Sequence, residues 1–158
     1  MAKNKEINHP HLILCEGADA TLFIIYYLEY LLTNGEMEFD GFQAMNFGGN
    51  DELSGFLRLL PIYDIVKSIT IIRDAETDHN AAKQSICTVL KNYGFAVPSN
   101  ANEIVQNGSI KVAYSLFPTL SKNTENGTLE KLYLNNLAET PYPKKLINDI
   151  ELMFLSVV

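Results

Sequence analysis

Cysteine is scarce in this sequence, which has only Cys15 and Cys87 among its 158 residues. Cys15 falls within an apolar strand pattern and Cys87 within a helical one, and each fits there as a small buried hydrophobe. Nothing in their number or spacing indicates a disulfide framework or a cysteine–histidine zinc site. We therefore expect a protein of a reducing, cytoplasmic compartment.

Basic residues are also few, since 12 lysines and arginines stand against 19 acidic residues and give a formal net charge of −7. Duplex nucleic acid is bound largely through its phosphates, which calls for a broad basic surface. The charge balance argues against such a surface. It leaves open a local basic groove, or contact with nucleic acid through a metal-bound phosphate.

The sequence lacks long apolar runs as well. Its densest stretch, TLFIIYYLEYLL, is interrupted by Glu29 and is shorter than the roughly 18–20 apolar residues that span a bilayer. The first eleven residues include lysines but no apolar core, so we expect neither a secretory signal nor a membrane partner. Hydrophobic residues make up 47% of the chain, which is ordinary for one globular domain.

What the sequence does contain is an alternation of strand and helix patterns. Strand patterns cover residues 11–17, 42–49, 68–74 and 110–118. Helical patterns cover residues 18–33, 50–60, 79–94, 128–137 and 144–155. The first helix is apolar around most of its circumference, so we expect it to be buried on more than one side. The alternation predicts an α/β fold with a four-stranded, mainly parallel sheet and helices on both faces.

Ligands of such sheets bind beyond the carboxyl ends of the strands. The first strand ends at Glu16, and the third ends at Asp74, with Glu76 two residues further on. Mg²⁺ prefers oxygen ligands and uses one or two carboxylates together with phosphates and water. Asp74 and Glu76 can therefore reach one ion, while Glu16 can bind the same ion or act as a general acid/base.

The second strand ends at Gly48 and Gly49, immediately before a helix. Backbone N–H groups at such a helix N-terminus can bind a phosphate. Carboxylates, glycines and a helix start at one edge of a sheet are together the parts of a phosphoryl-transfer site.

Four motifs resemble the TOPRIM (topoisomerase–primase) domain. LILCEGADATLF matches its Glu-Gly after the first strand, and ITIIRDAETD matches its Asp-x-Asp after the third. NFGGNDEL and the G-x-LE-x-L of NGTLEKLYL are similar to small stand-alone TOPRIM-like proteins of bacteria and archaea, which are related to OLD-type nucleases. The resemblance covers roughly residues 11–135 of a single domain spanning 1–158, and leaves residues 142–156 as a C-terminal helical extension.

The resemblance implies a role for each matching residue. Glu16 would be the general acid/base, and Gly17 would let the backbone approach the ligand. Asp74 and Glu76 would bind Mg²⁺ or Mn²⁺, although the family usually has Asp at the position of Glu76. Glu130, in the late motif, would be an accessory site residue. The resemblance allows two partners: nucleic acid, held through a metal-bound phosphate, and a second copy of the chain in a homodimer.

Simpler interpretations compete for the same residues. Asp78 is a candidate third metal ligand, but it also precedes the helix pattern that starts at His79 and is a typical N-cap. Arg73 can pair with Glu76 or Asp78, which would make the acidic cluster a solvated turn. IIRDAET loosely matches the Asp-x-Asp-x-Thr of haloacid-dehalogenase-type phosphatases, whose nucleophile however follows the first strand. A response-regulator receiver would need paired acids after that strand, where this sequence has only Glu16.

Two functional hypotheses follow from these patterns. The first is a TOPRIM-like, Mg²⁺-dependent phosphoryl-transfer protein, such as a nuclease or another enzyme acting on nucleic-acid phosphodiesters. The alternative is a non-catalytic module that uses a degenerate TOPRIM site to bind metal or a nucleotide, or to mediate assembly.

Overall fold

A computed structural model describes residues 6–36, 41–118, 127–129 and 131. The strands are β1 (His11–Glu16), β2 (Phe42–Gly48), β3 (Ser68–Asp74), β4 (Val105–Asn107) and β5 (Ile110–Phe117). The helices are α1 (Ala18–Thr33), α2 (Asn50–Leu59) and α3 (His79–Asn92), and a short 3-10 helix, Leu60–Ile62, follows α2. Most of the helix predicted at 128–137, and all of the one predicted at 144–155, lie outside the described residues.

The strands form one sheet in the order β2-β1-β3-β5-β4. β1 pairs in parallel with both β2 and β3, and β3 pairs in parallel with β5. The predicted α/β fold with a mainly parallel sheet is therefore confirmed. The pairing of β1 with β3 also confirms that Glu16 and Asp74 end neighbouring strands.

The prediction of four strands is wrong, because the sheet has a fifth, β4. This strand has three residues and pairs antiparallel with the start of β5, with Asn107 opposite Ile110. Two of its three residues, Gln106 and Asn107, are polar and exposed, so the strand lacks the apolar run that marks the other strands. The signal that sequence analysis missed is the Gly108-Ser109 pair between the two strands, since Gly followed by Ser is typical of a two-residue hairpin turn; Gly108 has φ +76°.

The sheet separates two apolar layers. On β1, Leu12 and Leu14 face the layer that contains α2 and α3, whereas Ile13 and Cys15 face the layer that contains α1. This alternation follows from the two-residue period of a strand and accounts for the near-continuous apolar sequence of β1. The layers confirm the expected helices on both faces.

Helix α1 buries only one side, contrary to the expectation from its composition. Ile24 and Leu31 are buried against the sheet, but Leu22 and Tyr26 are 48% and 66% exposed. The sheet covers one face of the helix, and no other described element covers the opposite one.

None of the helices in the described part of the chain has both the length and the apolar character needed to span a bilayer.

A buried histidine, His11, begins β1, at the end of the strand away from Glu16. The His11 side chain is 8% exposed, and its Nδ1 lies 2.7 Å from the Ser68 hydroxyl. Burial lowers the pKa of His11, and the positive charges of Lys111 and Lys67 lower it further. Burial likewise lowers the pKa of His79 at the start of α3. Both imidazoles are therefore kept neutral by the fold.

This arrangement predicts that stability falls as the pH drops below about 6.5, the ordinary histidine pKa. Below that value the unfolded chain takes up protons that the folded chain, with its lowered pKa values, does not, so protonation favours unfolding. In urea unfolding from pH 7.5 to 5.5, His11→Gln should reduce the slope of stability against pH. An unchanged slope in His11→Gln would contradict this account.

Candidate functional site

Glu16, Asp74 and Glu76 follow the carboxyl ends of β1 and β3, and we refer to these three residues as the acidic edge. β1 and β3 are neighbours near the middle of the sheet, and their register aligns Cys15 with Ile72. Each strand therefore delivers a carboxylate at the same end of the sheet. Glu16 and Asp74 are partly buried, whereas Glu76 is exposed.

Glu16 is held by an ion pair with Arg73. The Arg73 Nε lies 3.0 Å from the Glu16 Oε2, with the two side chains 10% and 19% exposed. The Arg73 Nη1 donates a hydrogen bond to the Ser85 hydroxyl on α3 at 3.1 Å. The sequence predicted a partner for Arg73 in Glu76 or Asp78, but the ion pair is with Glu16. Successive strand residues point to opposite faces, so Arg73 faces α3 and meets Glu16 there.

The surroundings of Glu16 favour its protonated form. Burial raises the pKa of this carboxyl, and the negative charges of Glu76 and Asp74 raise it further, while Arg73 acts in the opposite direction. The influence of Glu76 and Asp74 means that both lie within electrostatic reach of Glu16. A raised pKa makes a carboxyl better suited to general acid/base work than one with the ordinary value.

Asp74 makes a contact that brings a later segment of the chain to the site. Its Oδ1 accepts a hydrogen bond from the Leu129 N–H at 3.0 Å, and the Leu129 side chain packs in the layer that contains α1. Asp74 thus has one oxygen engaged by the late motif identified in the sequence. Glu130, the accessory residue of that motif, lies outside the described residues, although it directly follows Leu129.

Glu76 sits in a strained turn immediately after β3. Its φ of +50° is uncommon for a residue with a side chain. The Glu76 N–H donates to the Gly127 carbonyl at 2.7 Å, and the Asp78 N–H donates to the Ala75 carbonyl at 3.2 Å. These bonds hold the turn in a conformation that costs on the order of 1 kcal/mol, which is a pattern found at many functional sites.

Asp78 is the N-cap of α3. Its Oδ1 accepts a hydrogen bond from the Ala81 N–H at 3.0 Å, and its φ of −144° is that of an extended cap residue. The capping interpretation is confirmed. A metal-binding role for Asp78 stays a prediction. A metal ion there would have to bind a carboxylate that already accepts a hydrogen bond from the start of α3.

Gly17, Gly48 and Gly49 lie at the ends of β1 and β2, as the sequence predicted, and the Gly48 N–H already has a hydrogen-bond acceptor. Glycine occupies the cap position of α1 (Gly17) and of α2 (Gly49), so neither cap residue has a side chain to accept a bond from the helix N–H groups. The Gly48 N–H, in contrast, donates to Asn46 Oδ1 at 2.7 Å, and the Glu52 carboxylate lies against Gly48. The phosphate-binding role of Gly17, Gly48 and Gly49 stays a prediction.

Within the described part of the chain, no group of three His, Cys, Asp or Glu side chains converges as a ready-made metal cage. Hard cations such as Mg²⁺ do not require one, because they commonly take one or two carboxylates and complete their shell with water and substrate phosphate. Asp74 and Glu76 fit that donor set, and Glu16 stands beside them with its charge partly balanced by Arg73.

Sequence analysis missed three groups that shape the site. The Ser85 hydroxyl and the Asn46 amide carry no motif, since each is an ordinary polar residue whose role depends on packing. The Gly127 carbonyl belongs to the late motif, whose glycine was noted, but its pairing with Glu76 needed the three-dimensional fold. Gly127 has φ +147°.

The chain matches the family described as "Protein of unknown function (DUF3226)" over residues 10–154. The match covers most of the chain, so the protein belongs to this family. No curated protein and no solved structure matches it.

The cap at Asp78 predicts that Asp78→Ala lowers the free energy of unfolding by about 0.5–2 kcal/mol, because Ala cannot accept the N–H bond. Asp78→Asn keeps an acceptor oxygen and should remain close to wild type in urea unfolding. If Asp78 were instead a necessary metal ligand, Asp78→Asn would weaken Mn²⁺ binding as strongly as Asp74→Asn does.

Proposed function

We propose that this protein is a TOPRIM-like, Mg²⁺-dependent phosphoryl-transfer protein of the cytoplasm that acts on nucleic-acid phosphodiesters, as a nuclease or a related enzyme. The observation that carries the proposal is the acidic edge, where neighbouring parallel strands bring Asp74 and Glu76 within electrostatic reach of Glu16. Acidic groups held together in a folded protein repel one another when ionised; Arg73 offsets one of these charges, and a divalent cation at Asp74 and Glu76 would offset the others.

The residues divide naturally between binding the ion and moving a proton. Asp74 and Glu76 would hold Mg²⁺ or Mn²⁺, which polarises a phosphate oxygen when bound. Glu16, whose pKa is raised by burial, would accept or donate the proton of the attacking or leaving oxygen. Arg73 keeps the Glu16 carboxylate in place through the 3.0 Å contact.

A phosphate has a plausible binding surface beside these groups. α1 follows β1 directly, and α2 follows β2, so both helices begin at the carboxyl end of the sheet. A helix N-terminus attracts anions, and the cap residues Gly17 and Gly49 have no side chain of their own over the helix N–H groups. At α2 the Glu52 carboxylate lies against Gly48, so the start of α1 is the better of the two positions for a phosphate. Such a surface can hold a phosphate despite the negative net charge of the chain.

One observation favours the second candidate, a non-catalytic module that binds metal or a nucleotide or mediates assembly, including a homodimer. Two of the three carboxylates that were assigned to the chemistry already lie in structural interactions, and the third residue, Glu76, is held through its backbone. Glu16 pairs with Arg73, Asp74 accepts from Leu129, and the Glu76 backbone pairs with Gly127. A site built this way can be structurally complete without turnover.

The metal-binding part of the proposal predicts a thermal shift. Mg²⁺ or Mn²⁺ at a hundred times Kd should stabilise the folded protein by about 2.7 kcal/mol, which is roughly 5–10 °C in Tm for a domain of this size. Asp74→Asn should abolish the shift, whereas Asp64→Asn, at an exposed acid outside the site, should keep it. Melting curves of the wild type that do not respond to Mg²⁺, Mn²⁺ or Ca²⁺ would contradict the proposed metal site.

The catalytic part depends on Glu16. Glu16→Gln should lower metal-dependent cleavage of single- or double-stranded DNA or RNA by about 10²–10⁴-fold while keeping most of the metal-induced shift in Tm. Gln retains the size and one acceptor oxygen of Glu but does not exchange a proton near neutral pH. Asp74→Asn should remove both properties. Wild-type protein that binds metal yet cleaves no DNA, RNA or phosphodiester analogue would support the non-catalytic module instead.

A further inference from the structure

Arg73 brings a fixed positive charge into the acidic edge. It precedes Asp74 on β3, is 8% exposed as a residue, and contacts Glu16 at the end of β1. A guanidinium so close to a carboxylate offsets the charge of that carboxylate. The site therefore holds a cation of its own before any metal ion binds.

We propose that Arg73 is a built-in competitor for the divalent cation, which keeps Glu16 out of the coordination shell and sets how tightly the acidic edge binds metal. This inference rests on the proposed metal site and assigns Arg73 a positioning role in it. Arg73 neither touches the substrate nor takes part in the proton transfer.

The guanidinium is anchored at two points, which distinguishes it from a mobile surface charge. Its Nε faces the Glu16 carboxylate at 3.0 Å, and its Nη1 donates to the Ser85 hydroxyl at 3.1 Å. Ser85 lies on α3, so the side chain spans from the β1 end to a helix on the same face of the sheet. The planar, always charged guanidinium suits such a two-point contact better than a lysine would.

The charge balance indicates the direction of the effect. Glu16, Asp74 and Glu76 carry three negative charges when ionised, and Arg73 offsets one of them. A divalent ion at Asp74 and Glu76 therefore meets repulsion from Arg73 and cannot also use the Glu16 oxygen that Arg73 holds. Without Arg73, the ion would lose that repulsion and gain a third carboxylate.

The test is the affinity for Mn²⁺ alone, measured by titration calorimetry on the full chain. Arg73→Met should lower Kd by about tenfold or more, because a charge within about 4–6 Å commonly shifts a neighbouring ionic equilibrium by about 1–3 pKa units, and one unit corresponds to tenfold. Arg58→Met is the matched control, since Arg58 is exposed in the last turn of α2 and its loss changes the net charge equally. This control should bind Mn²⁺ as the wild type does.

Arg73→Met leaves Glu16 without its ion-pair partner and could fail to fold for that reason. Two further variants keep the test decisive in that case. Ser85→Ala removes one anchor of the guanidinium at a helix position where Ala is favourable, and should lower Kd for Mn²⁺ by a smaller factor. Glu16→Gln combined with Arg73→Met removes both members of the pair, and should show less gain in affinity than Arg73→Met because the third carboxylate is missing.

The outcomes separate this inference from the proposed function. If the wild type binds Mn²⁺, and both Arg73→Met and Ser85→Ala bind it equally well or more weakly, the role of Arg73 is overturned and the metal site is not. Binding by Arg73→Met but not by the wild type would support the role of Arg73 and contradict a metal-dependent activity of the natural protein. No binding by any variant would overturn both.

Discussion

The parallel pairing of β1 with β3 is the constraint on which the rest of the site depends. Parallel strands end at the same edge of a sheet, so the acids that follow β1 and β3 have to meet. The strands themselves are buried on both faces, which fixes their register through the apolar layers on either side. Because the core sets the register, the positions of Glu16 and Asp74 are determined by packing and not by their own attraction to a ligand.

Charges brought together in this way need compensation, and the structure supplies part of it. Arg73 balances Glu16 on the face of α3, and the Leu129 N–H donates to Asp74. The two acids are thus stabilised separately, by different elements. Because each acid has its own partner, the same geometry is compatible with an enzyme or with a binding module.

The sequence was sufficient to predict the features that depend on local patterns. Apolar runs located β1, β3 and β5, the Asp78 cap marked the start of α3, and alternation of strands and helices gave the parallel sheet. β4 was missed because a three-residue edge strand buries too little to carry an apolar signal. Burial of α1 on more than one side was not found, since composition alone does not say which elements will cover a helix.

The partner of Arg73 was also out of reach of the sequence. Glu76 and Asp78 are its neighbours along the chain, whereas Glu16 is distant in sequence and becomes close only when β1 and β3 pair. The hydrogen bond to Asp74 from Leu129 has the same origin, because it joins residues 55 positions apart. Local spacing identified the acids of the site, but the groups that hold them come from the tertiary fold.

The central claim is that the acidic edge binds a divalent cation. Crystals of the wild-type protein soaked in Mn²⁺, measured for anomalous scattering from manganese, would test it most directly. The account predicts an anomalous peak between the Asp74 and Glu76 carboxylates, at the roughly 2.0–2.6 Å typical of oxygen ligands to hard cations, with Arg73 still on Glu16. A manganese ion bound only elsewhere, or none at the acidic edge under saturating Mn²⁺, would contradict it.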